Sequence, residues 1–196
     1  MTRRHGVVVL AAGASRRLGR PKQLVAIDGE TLLHRTVRHA LATCPADLVV
    51  VVRAAATGSA EAVADLRVRC VEAMAPRAGM GLSLRCGIAA LSAACDGVLV
   101  LVCDQPALDA AHLVGMVARW HERPHHAVAS GYAGTFGVPA LLPRDWLVAT
   151  ALDGDRGARD LLRARSAEVT IVANHALARD VDHPSDLPPP SGESSQ

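Results

Sequence analysis

The sequence predicts an α/β fold in which helices cover both faces of a mostly parallel sheet. Short apolar runs rich in Val and Leu alternate with amphipathic segments through residues 1–120. Such runs have the composition of strands that are buried on both faces. Strands that alternate with helices form parallel βαβ units, and the loops at the carboxyl edge of such a sheet collect ligand sites.

The predicted strands of the first half are apolar runs at residues 6–10, 48–52, 68–71 and 98–102. Four helices are predicted with them: one after the Asp28-Gly29 turn capped by Thr31, a short one at 60–66, one with the apolar stripe Leu84, Ile88 and Leu91, and one capped by Asp109. Beyond residue 127, shorter strands at 128–130 and 138–142 precede helices at 145–152 and 158–164 and a last strand at 169–172. The two short strands predict an antiparallel extension of the sheet.

Length and composition favour one globular domain with a small-molecule partner. The 196 residues are 50% hydrophobic but only 2% aromatic, so Ala, Val and Leu must build the core. A formal net charge of +2 argues against nucleic acid as a partner, and no run reaches the roughly 20 apolar residues of a membrane span. Five cysteines without a Cys-x-x-Cys pair favour buried, reduced thiols in the cytoplasm. We expect one domain over 1–187 and a disordered tail over 188–196.

The stretch after the first strand predicts a phosphate-binding loop. Residues 10–22 read Leu-Ala-Ala-Gly-Ala-Ser-Arg-Arg-Leu-Gly-Arg-Pro-Lys. Gly13 allows the backbone to approach a ligand closely, and Arg17 and Lys22 add positive charge. The loop matches neither common nucleotide fingerprint. An ordinary strand-to-helix connection is the alternative, but about 2–6 residues would suffice for that.

Asp104 marks a second candidate site because it follows the apolar run at 98–102. The carboxyl end of that strand should lie at the same sheet edge as the first loop. A carboxylate beside a cationic phosphate loop is suited to Mg²⁺, which binds through one or two carboxylates plus substrate phosphates. From the spacing alone, a helix cap or a turn aspartate before Pro106 is an equally good interpretation.

Residues 10–22 resemble the Leu-Ala-Ala-Gly-x-Ser-x-Arg-Met-Gly-x-Pro-Lys signature of the MobA-like nucleotidyltransferases, and they are most similar to the molybdenum cofactor cytidylyltransferase branch. Leu18 replaces the usual methionine, a change that nearly conserves volume. Further matching motifs lie at 79–84, 104–108, 131–139, 154–159 and 182–187, so the resemblance covers residues 6 to 187. It implies a three-layer Rossmann-like nucleotidyltransferase fold.

The resemblance also implies a role for each motif. The residues expected to bind the nucleotide are Leu10, Ala11, Ala12, Gly13, Ser15, Arg17, Lys22, Gly79, Gly81 and Ser83. Lys22, Arg17 and Asp104 are expected to be catalytic, Asp104 and Asp155 to bind Mg²⁺, and Gly137, Pro139 and Arg159 to bind the acceptor. Two positions keep an alternative as helix caps, namely Ser83 and Asp155. The segment 182–187 is expected to be a structural closing element.

The implied reaction is transfer of CMP from CTP to a molybdopterin-type acceptor with release of pyrophosphate, and a molybdenum hydroxylase is a possible client. Ala12 favours CTP as the donor, because guanylyl-transferring relatives usually carry glycine at this position. Val138 stands where many relatives have histidine, so the identity of the acceptor stays open. The alternatives are a GTP-dependent transferase, another phosphorylated acceptor, an NAD(P)H-dependent oxidoreductase of the nicotine-blue type, and a non-catalytic molybdenum cofactor chaperone.

Overall fold

The computed structural model describes residues 3–15, 17–54, 58–73, 79–152, 154 and 157–187, and the predicted tail at 188–196 lies outside these ranges. The strands are β1 (His5–Ala11), β2 (Ala26–Ile27), β3 (Glu30–Thr31), β4 (Leu48–Arg53), β5 (Arg69–Ala73), β6 (Gly97–Val102), β7 (Ala127–Tyr132), β8 (Thr135–Pro143) and β9 (Val169–Ala173). The α-helices are α1 (Leu32–Leu41), α2 (Met80–Ala90), α3 (Ala110–Glu122), α4 (Arg144–Ala149) and α5 (Ala158–Ala164).

Seven strands form one sheet in the order β5-β4-β1-β6-β8-β7-β9. The pairs β1–β4, β1–β6, β4–β5 and β7–β9 are parallel, whereas β8 runs antiparallel to both β6 and β7. Helices α1 and α3 pack on one face, and α2, α4 and α5 on the other. The prediction of a three-layer α/β fold with a mostly parallel sheet and an antiparallel extension is therefore confirmed.

The strand β8 is longer than predicted, because the sheet accommodates its proline. A continuous ladder would leave Pro139 without the N–H that pairing requires. The ladder between β7 and β8 is interrupted by a bulge between Ala129 and Ser130, and Pro139 falls in the interruption. The Ser130 hydroxyl donates to the Pro139 carbonyl at 2.9 Å, so the strand continues on both sides.

Several local predictions need correction. The segment predicted as a helix at 60–66 forms only a 3-10 turn, Glu61–Val63, because Val63 alone in that turn is buried. Ser83 lies inside α2, which begins at Met80, so it does not cap that helix. Cys44 and Cys70 are exposed, since Cys44 lies in a turn and Cys70 on an edge strand. The caps are confirmed, with Thr31 accepting from the His34 amide and Asp109 from the His112 amide.

The order of the strands decides where a ligand can bind. From β1 the chain continues to β4 and β5 on one side, and it then returns to β6 on the other side of β1. Leu10 and Val102 are partners in the β1–β6 ladder, so the loops that follow them begin side by side. A reversal of this kind opens a crevice at the carboxyl ends of the two strands. In the described part of the chain, no helix is long and apolar enough to cross a membrane.

Gly87 allows α2 to lie close to the sheet beside this crevice. A Cβ atom at Gly87 would lie 2.5 Å from the Val8 Cγ1 atom and 2.9 Å from the Val51 Cγ2 atom. Valine side chains have few accessible rotamers, so they cannot turn away freely. The helix would therefore have to move outward.

We expect Gly87→Ala to lower the free energy of unfolding by about 1–3 kcal/mol, the usual cost of overpacking. Urea denaturation measures the change. Gly115→Ala in α3 is the matched control, because nothing lies within 4 Å of the Cβ position there. That control should gain up to about 1 kcal/mol, since alanine favours a helix interior over glycine. Equal effects in the two variants would contradict the close packing of α2.

His34 links α1 to two neighbouring segments. Its Nδ1 atom lies 2.7 Å from the Glu30 carboxylate, and its Nε2 atom lies 3.1 Å from the Asp65 carboxylate. The hydrogen bonds to Glu30 and Asp65 raise the pKa of His34 above its ordinary value of 6.5 despite some desolvation. Hydrogen bonds from Arg38 and His34 lower the pKa of Glu30 to about 2, so that carboxylate stays ionised near neutral pH.

A histidine with a raised folded-state pKa stabilises the fold below its unfolded pKa, and this contribution is lost as pH rises through the folded value. His34→Gln should therefore reduce the unfolding free energy more at about pH 5.5 than at about pH 9. Chemical denaturation at both pH values measures the difference. His175→Gln, at an exposed histidine outside this cluster, should show no such trend. A His34→Gln deficit that is the same at both values would rule out the ionic link.

Candidate active site

A cleft with two lobes opens at the carboxyl ends of β1 and β6. The first lobe has a volume of 260 Å³ and lies between the loop after β1 and the start of α2. The second lobe has a volume of 350 Å³ and extends toward β8 and the start of α5. Leu10, Met80, Val102 and Asp104 line both lobes. The two loops that the sequence singles out therefore meet in one cleft.

The first lobe collects most of the residues expected to bind a nucleotide. Those in its wall are Leu10, Ala12, Gly13, Lys22, Gly79 and Ser83. Ala11 is buried at the end of β1, and Gly81 is buried within α2. Cys103 also lines the lobe, and burial raises the pKa of its thiol to about 12, so that it stays protonated and unreactive.

Ser15 shapes the loop that carries Lys22. The backbone N–H of Lys22 donates to the Ser15 hydroxyl at 3.0 Å. The N–H groups of Leu18 and Gly19 both donate to the Ser15 carbonyl at 3.2 Å. Ser15 adopts a left-handed conformation with φ of 47°, which turns the chain back on itself. The loop thereby brings Lys22 into the cleft at the start of a short 3-10 turn.

The Lys22 ammonium joins two carboxylates from distant parts of the chain. It contacts Asp104 Oδ2 directly and lies 3.3 Å from Asp182 Oδ1. The side chains of Lys22 and Asp104 are only 19% and 17% exposed. Burial by itself would lower the pKa of Lys22, but Asp104 and Asp182 outweigh it and raise that pKa. The cleft therefore holds a charged lysine at neutral pH.

Asp182 is a site residue that the sequence interpretation missed. Its Oδ2 atom lies 3.1 Å from Arg17 Nη2, while Oδ1 faces Lys22. The Val181 N–H donates to the Asp104 carbonyl at 2.8 Å, which ties this closing segment to the loop after β6. The sequence pattern that could have indicated Asp182 is the polar–apolar–polar alternation Asp180-Val181-Asp182. Val181 is buried, so its two neighbours point away from the core.

Arg17 and Asp180 are more exposed to solvent than Lys22. The Arg17 side chain is 68% exposed and pairs with Asp182 at the rim. Asp180 lines the second lobe and is reached by solvent. Partial burial, with the negative charges of Asp104 and Asp182, raises the pKa of Asp180 to about 6. Among the described residues, the Lys22 and Arg17 cations thus lie close to Asp182, and Lys22 also acts on Asp104 and Asp180.

The second lobe combines apolar walls with a few polar groups. Two of the residues expected to bind the acceptor lie side by side, since a Cβ atom at Gly137 would lie 3.6 Å from Arg159 Nε. Arg159 lines the lobe, whereas Pro139 is buried in β8 and the preceding Val138 lines the lobe instead. The amide of Gly157 donates to Asp160 at 3.2 Å, which caps α5.

The structure provides one partner for a metal ion in this cleft. Asp104 Oδ1 is buried and has no hydrogen-bond partner among the described residues, while Oδ2 contacts Lys22. Within the described ranges, no group of three or more His, Cys, Asp or Glu side chains is arranged to hold a metal by itself. Asp155, the other expected ligand, lies outside the described residues. A cation here would depend on further oxygen ligands, such as substrate phosphates.

Known proteins resemble the chain over most of its length. It is 32% identical over 171 residues to the purine catabolism protein PucB of Bacillus subtilis, which covers 80% of each chain. It is 34% identical over 168 residues to a probable molybdenum cofactor guanylyltransferase of Opitutus terrae, covering 82% of this chain and 77% of that one. Nicotine blue oxidoreductase of Paenarthrobacter nicotinovorans is 31% identical over 188 residues, covering 89% and 90%.

Solved structures share the fold. A nucleotidyl transferase from Methanothermobacter superposes with a TM-score of 0.78 at 24% identity and covers 93% of this chain and 94% of that one. Rv0371c of Mycobacterium tuberculosis superposes with a TM-score of 0.76 at 27% identity, covering 95% and 96%. The sequence profile of the MobA-like NTP transferase domain matches residues 7–178. The chain therefore belongs to the MobA-like NTP transferase family of nucleotidyltransferases.

Proposed function

We propose that this protein transfers CMP from CTP to a phosphorylated acceptor of the molybdopterin type and releases pyrophosphate. The observation that carries the proposal is the meeting of Lys22 and Asp104 in one cleft between two parallel strands. The first lobe would take the nucleotide and the second the acceptor, because Asp104 lies in the wall that they share. Cytidylylated cofactor would then pass to a client such as a molybdenum hydroxylase.

The charges of the cleft support a role for a divalent cation. The described cations of the cleft are Lys22, Arg17 and Arg159, and its described acidic side chains are Asp104, Asp160, Asp180 and Asp182. Because these described residues do not form a positive surface, a triphosphate would enter an unfavourable field unless a cation accompanied it. Asp104 Oδ1 is the free buried oxygen that would hold Mg²⁺, together with the phosphates and Asp155. A neighbouring structure, Rv0371c, is a complex with manganese.

The side chains of this chain would bind and orient the two phosphates. Lys22 would leave its carboxylate partners to hold the triphosphate, and Arg17 would approach it from the rim. Arg159 would bind the acceptor phosphate, for which a guanidinium is suited by its paired N–H groups. The bound cation would stabilise the charge that develops during in-line displacement. An acceptor phosphate that is already ionised needs no general base.

Ala12 supports CTP as the donor. It lines the first lobe, whereas its neighbour Ala11 is buried in the core on the other face of the strand. A methyl group at Ala12 reduces the room for a base, and a pyrimidine is smaller than a purine. The Opitutus terrae relative is named a guanylyltransferase, so a GTP-dependent transferase is the competing assignment.

Oxidoreduction is a second candidate, because nicotine blue oxidoreductase matches nine-tenths of both chains. The loop after β1 lacks the glycine spacing of dinucleotide-binding folds, which argues against it. Melting temperatures measured with each ligand distinguish the two functions. A nucleoside triphosphate with Mg²⁺ should raise the melting temperature of a transferase, whereas NADPH should not. A non-catalytic chaperone would bind molybdopterin without forming pyrophosphate.

We expect Asp104→Asn to reduce pyrophosphate release at least about 100-fold, since it removes the charge that a cation needs. The melting temperature without ligand should change little, because Lys22 keeps Asp182 as a partner. Pyrophosphate release from each nucleoside triphosphate with Mg²⁺ and molybdopterin measures the effect. Asp160→Asn, at a helix-capping carboxylate in the second lobe, is the charge-matched control. Normal turnover by Asp104→Asn would refute the assigned role.

We expect Ala12→Gly to improve the use of GTP relative to CTP by about tenfold, which corresponds to about 1.4 kcal/mol. The change removes only the methyl group that faces the first lobe. The ratio of kcat/KM values for the two nucleotides is the measurement. Ala11→Gly is the control, because the Ala11 methyl faces the core and should affect stability without changing this ratio. A higher kcat/KM with GTP than with CTP in the wild-type protein would contradict CTP as the donor.

A further inference from the structure

Gln105 holds a fixed position at the base of the second lobe. Its side chain is almost fully buried, with the residue 5% exposed. The Nε2 group donates to the carbonyl oxygens of Val138 and Leu177, both at 3.3 Å. Rotating the amide by half a turn would place Oε1 against these two carbonyl oxygens. The orientation is therefore determined by the protein, with Oε1 as the free end.

The Oε1 atom of Gln105 is buried and accepts no hydrogen bond from any described residue. Gln105 also lines the second lobe. A buried acceptor without a donor destabilises a folded protein, and native structures keep few of them outside functional sites. A ligand that donates a hydrogen bond at this point would satisfy the atom. Because Gln105 lines the lobe, an occupant of the lobe that reached this atom would supply the missing hydrogen bond.

The surrounding wall limits what that occupant can be. Val100, Val102 and Val138 present apolar surface beside the ring of Tyr132, and the charged side chains of the lobe are those of Asp104, Arg159, Asp160 and Asp180. The Tyr132 hydroxyl already donates to the Val138 carbonyl at 2.8 Å. A polyol would lose hydration of several hydroxyl groups against the valines, which is costly without new hydrogen bonds. A flat heterocycle with a ring N–H needs few polar partners.

We propose that Gln105 is a specificity-determining residue, whose Oε1 atom accepts a hydrogen bond from a ring N–H of a planar heterocyclic acceptor. Arg159 in the same lobe would bind the phosphate of that acceptor. This inference rests on the proposed function, since it assigns the acceptor to the second lobe. It adds to that function the group by which the acceptor is distinguished from sugar or polyol phosphates.

The test compares two phosphorylated probes, hydroxymethylpterin monophosphate and ribitol 5-phosphate, by titration calorimetry with CTP analogue and Mg²⁺ present. The wild-type protein should bind the pterin phosphate at least about tenfold more tightly. Methionine is similar in length to glutamine but has no acceptor oxygen. Gln105→Met should therefore bind the pterin phosphate about tenfold more weakly, and its affinity for ribitol 5-phosphate should change little. Tyr132→Phe, which leaves Gln105 intact in the same wall, should keep the preference.

Nucleotide binding separates the two proposals. If Gln105→Met still binds the nucleotide with Mg²⁺ and binds both probes as the wild type does, the role of Gln105 is overturned while the proposed function stands. If Gln105→Met fails to fold, the wild-type comparison decides: equal affinity for the two probes overturns the inference. Failure of the wild-type protein to bind any nucleoside triphosphate overturns the proposed function itself.

Discussion

The ion pairs of Lys22 join three distant parts of the chain, and the arrangement of the cleft depends on them. The loop after β1 supplies the lysine, the loop after β6 supplies Asp104, and the closing segment supplies Asp182. The parallel register of β1 and β6 brings the first two together, and the hydrogen bond from Val181 to the Asp104 carbonyl holds the third. Without the switch in strand order, these charges would not share a site.

This pairing also explains how a cation and a nucleotide can depend on each other. Partly buried charges are tolerated because each has an opposite neighbour, whereas an unpaired one would be costly. In the proposed function, a triphosphate that bound Lys22 would leave the Asp104 carboxylate without its cationic partner. Asp104 Oδ1, which has no hydrogen-bond donor among the described residues, would then be available to hold a divalent cation. Nucleotide and cation would therefore each favour the binding of the other.

Local patterns of the sequence predict much of this architecture. The strands β1, β4 and β6 are continuous apolar runs, and two helix caps follow from single residues, Thr31 and Asp109. The proximity of Lys22 and Asp104 could be predicted, because the carboxyl ends of neighbouring parallel strands lie at the same edge of the sheet. The length of β8 could not be predicted, since Pro139 is accommodated by a bulge between β7 and β8 and by the Ser130 hydroxyl.

The roles of Asp182 and Gln105 depend on contacts that no short pattern contains. Asp182 meets Lys22 across 160 positions of the chain, and Gln105 is oriented by carbonyl groups that lie 33 and 72 positions away. In the motif Asp104-Gln105-Pro106 the middle position carries no family signature, so the sequence assigns it no function. Its proposed importance arises because the Val138 carbonyl of strand β8 and the Leu177 carbonyl take up its donor group. Its acceptor oxygen stays buried and has no partner among the described residues, in a residue that lines the second lobe. In the proposed site, acceptor specificity would therefore be set where the antiparallel extension meets the parallel sheet, one residue beyond the aspartate that the sequence made evident.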